Sequence, residues 1–359
     1  MPWGILRSPA ENSPAAQVKV TTMNTRRILV PDDFSEASRE ALRYARVLGS
    51  TGCHELHLLH VVPDARREPW ARDVEELDLA GLTEEWVRDA GIRLQRSACE
   101  LRSTFEVRTA VRLGTAPEQI VAYAAEQHTD MIVMGAHRDR RSEEWLRGSI
   151  AERVVRKASC PVLTVPGGRG EVAAIDDVPD SRNSGIMDPR DAGKRPVIRT
   201  VLIPVDFSTN ADLALRRGLA LAREHGAAAH VLYVYDPPWT RNSSYAAPPA
   251  HVTEELRYRA ERQLECDIVR HHGLPLHVHA AVRVGDPYAE IVHYAGEIRA
   301  GLIVLGTHSH HTIGRLVLGT VAQKVLRRAP CPILTVFDET ARFDRHETAA
   351  RNGSVSIAS

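Results

Sequence analysis

Two kinds of apolar pattern alternate along this chain. Residues 27–32 form a short apolar run that stops at Asp33 and predicts a strand. Behind Ser35, whose hydroxyl suits a helix N-cap, Ala41, Tyr44, Ala45 and Leu48 recur at helical spacing. Gly49 and Gly52 end that pattern. A second strand is expected over 56–62, then a long helix through Leu79, Leu82 and Trp86. Phe105, Val107, Thr109, Val111 and Leu113 alternate with Glu106, Arg108, Ala110 and Arg112, and a strand with one charged face belongs at a sheet edge. Later in the chain Leu276, Val278, Ala280, Val282 and Val284 alternate in the same way with His277, His279 and Arg283. Pro117 and Pro287 stand where a helix tolerates proline, in its first turn. The runs 131–134 and 302–305 are continuously apolar and read as buried central strands. Helices starting at Ser149 or Thr320, and last strands over 162–165 and 333–336, close the pattern. Strands alternating with long crossovers predict an α/β, doubly wound architecture with an open parallel sheet.

The pattern occurs twice. Arg27-Ile-Leu-Val-Pro-Asp-Asp33-Phe-Ser35 returns as Thr200-Val-Leu-Ile-Pro-Val-Asp206-Phe-Ser208. Gly148-Ser149-Ile-Ala-Glu-Arg-Val-Val-Arg-Lys-Ala-Ser-Cys160-Pro161 returns as Gly319-Thr320-Val-Ala-Gln-Lys-Val-Leu-Arg-Arg-Ala-Pro-Cys331-Pro332. Gly135 and Gly306, Gly148 and Gly319, and Pro161 and Pro332 all keep the same separation of 171 residues. A constant offset across several elements means that a whole domain was duplicated. The expected organisation is an N-terminal extension (1–24), a first domain (25–166), a linker (167–197), a second domain (198–337) and a tail (338–359). The extension and tail read as disordered, and the stretch between the copies, rich in Gly, Asp, Ser, Asn and Pro without apolar periodicity, reads as a linker. Met23 offers an alternative start to Met1.

Composition narrows the classes. Lys+Arg and Asp+Glu both number 46, so no net charge draws the chain to nucleic acid or membrane. A chain so close to neutrality is prone to self-association, which leaves a homo-oligomer open. No apolar stretch nears the length of a membrane span. The cysteines (Cys53, Cys99, Cys160, Cys266 and Cys331) are odd in number and widely spaced, which fits a reducing cytoplasm.

In open parallel sheets ligands bind beyond the carboxyl ends of the strands, where the strand order reverses. Asp33 and Asp206 end the first strand of each copy, and Gly135 and Gly306 end the fourth. After the fourth strand of the C-terminal copy come Gly306-Thr-His-Ser309, nine residues, and Gly319-Thr320 at a helix start. Such a loop offers backbone N–H groups and the positive end of a helix dipole to an anion.

These motifs resemble the universal stress protein family over roughly residues 25–166 and 198–337. The ATP-binding members of that family carry Gly, two residues, Gly, nine residues, Gly and then Ser or Thr, with similar "Val-Pro-x-Asp" opening and "Cys-Pro-Val-Leu" closing strands. The resemblance implies a five-stranded parallel sheet in each copy, order 3-2-1-4-5, with helices on both faces. It also implies adenine nucleotide near Asp33 or Asp206, adenine against backbone around Val61 or Val234, and phosphates on Gly135, Gly148 and Ser149, or on Gly306, Ser309, Gly319 and Thr320. Mg would accompany ATP. Where the family pattern has its second glycine, this chain has Ser309 and Arg138. Serine is small enough for phosphate binding, whereas Arg138 is bulky and its loop carries Asp139, Glu143 and Glu144. The C-terminal site therefore ranks above the N-terminal one.

Bland readings stand beside these. The aspartates could simply cap helices, the glycines could form turns, and Cys160 and Cys331 could pack as small apolar groups. His277 and His279, with His308, His310 and His311, raise a metal site that no ligand spacing supports. No general base is evident, so ATP hydrolysis would rest on phosphate positioning alone, and an interaction scaffold with an unidentified protein partner is the other alternative. The last strands are apolar and lie at sheet edges, which must be covered. By the resemblance they pair across the domain interface, making an intramolecular pseudo-dimer.

Overall fold

The computed structural model describes residues 25–49, 53–68, 71, 78–136, 150–167, 178–179, 194–195, 198–237, 250–271, 277–307 and 318–336. The expected extension and tail, and nearly all of the expected linker, lie outside them. The N-terminal copy runs β1 (Arg27–Pro31), α1 (Glu36–Gly49), β2 (Glu55–Val62), α2 (Leu79–Leu101), β3 (Glu106–Leu113), α3 (Ala116–Glu126), β4 (Met131–Ala136), α4 (Ile150–Lys157) and β5 (Val162–Pro166). Two residues each of β6 (Val178–Pro179) and β7 (Lys194–Arg195) pair antiparallel within the segment read as a linker. The C-terminal copy runs β8 (Thr200–Val205), α5 (Thr209–Glu224), β9 (Ala228–Tyr235), α6 (Ala250–His271), β10 (Val278–Val284), α7 (Pro287–Glu297), β11 (Leu302–Gly306), α8 (Thr320–Arg328) and β12 (Ile333–Val336).

Within each copy the strands lie parallel in the order 3-2-1-4-5. The copies join through their last strands: β5 and β12 pair antiparallel, Leu163 opposite Leu334, and a single ten-stranded sheet results. The apolar edges are thus covered by each other, which removes the pairing hazard of an open edge. The outer edges, β3 and β10, are the charged alternating strands. On β3, Arg108 pairs with Glu55 and Arg112 with Glu126, a polar rim that discourages further strand addition.

Alternation along the strands separates two cores. Ile28, Val30, Leu56, Leu58, Val201 and Ile203 face the layer of α1, α2, α5 and α6. Leu29, Leu59, Ile132, Leu202, Ile303 and Ile333 face α3, α4, α7 and α8. Central strands are buried on both faces and must be apolar throughout, which explains the continuous runs in β4 and β11. Each fully buried Leu or Ile contributes about 1.5–3 kcal/mol.

Helix starts follow the expected chemistry. Ser35 Oγ accepts from the Ser38 N–H at 3.1 Å, and Ser208 Oγ accepts from the Ala211 N–H at 3.2 Å. Boundaries moved slightly: β1 ends at Pro31 rather than beside Asp33, because the Asp32 carboxylate already accepts from the Phe34 N–H of the turn that follows.

Candidate functional site

The crevice of each copy is built where β1 or β8 hands over to its helix. Ile132 pairs with Leu29, so Gly135, three residues on, reaches the level of Asp32; Ile303 pairs with Leu202, and Gly306 likewise reaches Val205. The following helix passes against these glycines. A Cβ on Gly135 would lie 2.6 Å from the Ala37 carbonyl oxygen, and one on Gly306 would lie 2.3 Å from that of Asn210. Real side chains do not tolerate such distances, so both positions need glycine for helix packing alone.

Asp33 and Asp206 are exposed, and each accepts from the backbone two residues on: the Ser35 N–H at 3.0 Å and the Ser208 N–H at 3.0 Å. They hold a turn whose central residue is strained. Phe34 has φ 63° and Phe207 φ 60°, the left-handed region that bulky side chains avoid. The strain recurs at the same place in both copies, at the strand-to-helix turn.

From here the copies diverge. In the N-terminal copy Asp32 is 3% exposed, and its Oδ1 accepts from the Phe34 N–H (2.8 Å) and the Ser38 hydroxyl (2.8 Å). His60 Nδ1 donates to the Asp32 carbonyl at 2.6 Å and its ring stacks on Phe34, centroids 4.5 Å apart. The guanidinium of Arg93, from α2, covers the other side of Phe34 at 4.0 Å. The ring is sandwiched by the protein itself. In the C-terminal copy Val205 replaces Asp32 and Tyr233 replaces His60. Phe207 meets Tyr233 at 4.6 Å and 36°, and remains 39% exposed. Burial, with Tyr235 and Asp206 nearby, pushes the Tyr233 phenol up, so it stays a neutral hydrogen-bond donor at physiological pH.

Of the other sequence-predicted residues, Val234 is half-buried in β9, opposite Arg283 of β10. Gly319 is the N-cap of α8 with no side-chain cap, and Thr320 opens the helix exposed, so the first-turn N–H groups have no side chain of the cap residue against them. Gly148, Ser149, Ser309, Arg138 and the histidines 308, 310 and 311 lie outside the described residues.

Sequence reasoning missed a polar pair buried under each outer edge. A hydrogen bond joins His57 Nδ1 and Tyr123 OH at 2.9 Å, and another joins His230 Nδ1 and Tyr294 OH at 3.0 Å. Burial lowers both imidazoles. Beside His57 the Glu55 carboxylate opposes the shift; beside His230 the stacked ring of His279 adds to it, and His230 is pushed down to about 4. Matching His and Tyr positions in both copies was the available signal. Among the described residues no three His, Cys, Asp or Glu gather as metal ligands, and His277 and His279 are exposed. Cys160 and Cys331 are buried free thiols, and burial raises that of Cys331 far above its usual range.

Two such copies joined edge to edge define a tandem doubly wound α/β protein with two candidate ligand crevices at its strand ends. The model of the universal stress protein family matches residues 24–166 and 198–336, and the chain belongs to that family. A universal stress protein of Methanocaldococcus jannaschii is 33% identical over 154 residues, 39% of this chain and 94% of that protein. One from Thermus aquaticus is 33% identical over 142 residues, 39% of this chain and 99% of that protein. Among solved structures, a universal stress protein from Archaeoglobus fulgidus covers 87% of this chain and 98% of its own, with a TM-score of 0.56 and 19% identity. A functionally unknown protein from Pseudomonas aeruginosa covers 92% and 98%, with a TM-score of 0.57 and 15% identity. The two structures share the tandem fold. No helix among the described residues is long and apolar enough to cross a membrane.

Proposed function

We propose that the C-terminal domain (198–337) binds adenine nucleotide and that the chain acts as a cytoplasmic stress-response module whose state is set by that ligand. The observation that carries this reading is the exposed Phe207 ring packed on half-buried Tyr233 beside Asp206, an apolar surface for a purine next to a carboxylate for ribose hydroxyls. The family resemblance adds Val234, Gly306, Ser309, Gly319 and Thr320 as backbone and hydroxyl contacts, with Mg accompanying ATP. In the N-terminal domain (25–166) Arg93 and His60 both pack on Phe34, so the crevice that Asp33 borders has its ring already stacked. That observation favours a second reading for this domain alone: an interaction surface for a protein partner. A slow ATPase is the remaining alternative, and its hydrolysis would rest on phosphate positioning alone.

Calorimetric titration of ATP and AMP, with and without Mg²⁺, into the full chain tests the proposal. About one site per chain, lost in Gly319→Ala, is the expected result, since an added Cβ would stand where phosphate must approach the first-turn N–H groups. Absence of binding at millimolar nucleotide would leave the scaffold reading for both domains.

A further inference from the structure

The seam between the two domains is twofold symmetric in nearly every contact. Leu163 faces Leu334, its counterpart in the other copy. Thr164 Oγ1 donates to the Ile333 carbonyl at 3.3 Å, and the counterpart Thr335 Oγ1 donates to the Val162 carbonyl at 3.0 Å. These reciprocal pairs are what two identical domains would make, so strand pairing by itself does not distinguish an N-terminal from a C-terminal partner.

One position breaks the symmetry. Glu152 of α4 and Gln323 of α8 occupy equivalent positions and meet each other across the pseudo-twofold axis, the amide Nε2 donating to Glu152 Oε1. Arg327 of α8 also donates to both Glu152 oxygens, at 3.1 and 3.4 Å. Glu152 is 6% exposed, so its charge is held by these donors rather than by water. The counterpart of Arg327 in the N-terminal copy is Arg156, which is exposed.

We infer that this asymmetric pair makes the seam specific: the β5 edge accepts the chain's own C-terminal domain and disfavours a second N-terminal domain, and the β12 edge disfavours a second C-terminal domain. Pairing two N-terminal domains sets Glu152 against Glu152, two buried carboxylates at hydrogen-bonding distance with no amide between them, and the two copies of Arg156 offset only part of that repulsion. Pairing two C-terminal domains sets Gln323 against Gln323 and leaves both copies of Arg327 without a carboxylate. Only the pairing within one chain supplies one carboxylate, one amide and an arginine together. The seam thus favours a closed single chain over chains linked edge to edge.

Both rejected arrangements can be imposed on the full chain by single substitutions. Gln323→Glu reproduces the carboxylate pair, and Glu152→Gln reproduces the amide pair. The double exchange Glu152→Gln/Gln323→Glu restores one of each, with Arg156 facing the moved carboxylate as Arg327 faces Glu152. Amide hydrogen exchange of β5 and β12 reads the seam directly. We expect Gln323→Glu to speed exchange there about tenfold or more, Glu152→Gln to speed it less, and the double exchange to return it close to wild type. Because the double variant tests recovery, a poorly folded Gln323→Glu chain does not obscure the result. Unchanged exchange in both single variants, or a double variant as fast as the worse single one, would overturn the inference.

Discussion

The mouths of the two crevices share a backbone and differ in what stands on it. Both use an aspartate-held turn to force a phenylalanine into left-handed geometry, at φ 63° and 60°. In the N-terminal copy that strain is locked from below by the buried Asp32 carboxylate and from above by Arg93. In the C-terminal copy neither support stands among the described residues: Val205 replaces Asp32, and Phe207 stays open to solvent against Tyr233. Identical strain with different neighbours separates scaffold from site. What both copies keep, the turn and the glycine beneath it, is required by the fold, and what only one keeps open is where the proposed nucleotide would sit.

Predictions that break or sharpen this contrast can be ranked by size. Gly135→Ala and Gly306→Ala should each destabilise the protein by about 1–3 kcal/mol or more, because the new methyl meets backbone in both copies. Denaturant unfolding measures this, and a harmless Gly306→Ala would show that the glycine is not there for packing. Asp32→Val, which copies the C-terminal residue into the N-terminal turn, should cost about 1–2 kcal/mol by orphaning the Phe34 N–H and weakening the hold on Ser38. Arg93→Ala should cost only about 0.5–1 kcal/mol, yet leave Phe34 as exposed as Phe207, which relaxation of its ring protons by a paramagnetic solute can report.

The smallest effect concerns acid. His230 is held neutral when folded, down to about pH 4, whereas unfolded it takes up a proton near its ordinary pKa of about 6.5. Between those values the unfolded state binds more protons, so this contribution to stability is intact above pH 6.5 or so and is lost as pH falls toward 4. His57 shifts in the same direction, but Glu55 opposes it. The β10 edge should therefore loosen before the β3 edge on acidification. Residue-level hydrogen exchange from pH 7 to 5 checks the order, and His230→Gln should remove the difference.

Much of this architecture could be read from the chain because the signals were repeated. Continuous apolar runs marked β4 and β11, charged alternation marked β3 and β10, and the apolar last strands demanded the cover that β5 and β12 give each other. The site was legible only in outline. Asp32 and Asp33 are adjacent carboxylates, and which one turns inward depends on where the strand ends, a matter of one residue that pattern does not resolve. Left-handed phenylalanine runs against propensity and is imposed by tertiary packing. The Arg93 contact joins elements far apart in sequence, and no periodicity marks it. Glu152 against Gln323 was within reach, because aligning the copies at their fixed offset places these unlike residues at one position beside an edge strand.

The central claim is that one copy binds nucleotide and the other is closed by its own side chains. Equilibrium dialysis of ATP against wild type, Asp33→Asn and Asp206→Asn tests it most directly, since both substitutions are exposed and alter the same turn. The account predicts about one ATP per chain, weakened by Asp206→Asn and indifferent to Asp33→Asn. Two ATP per chain, or equal loss from either substitution, would contradict it.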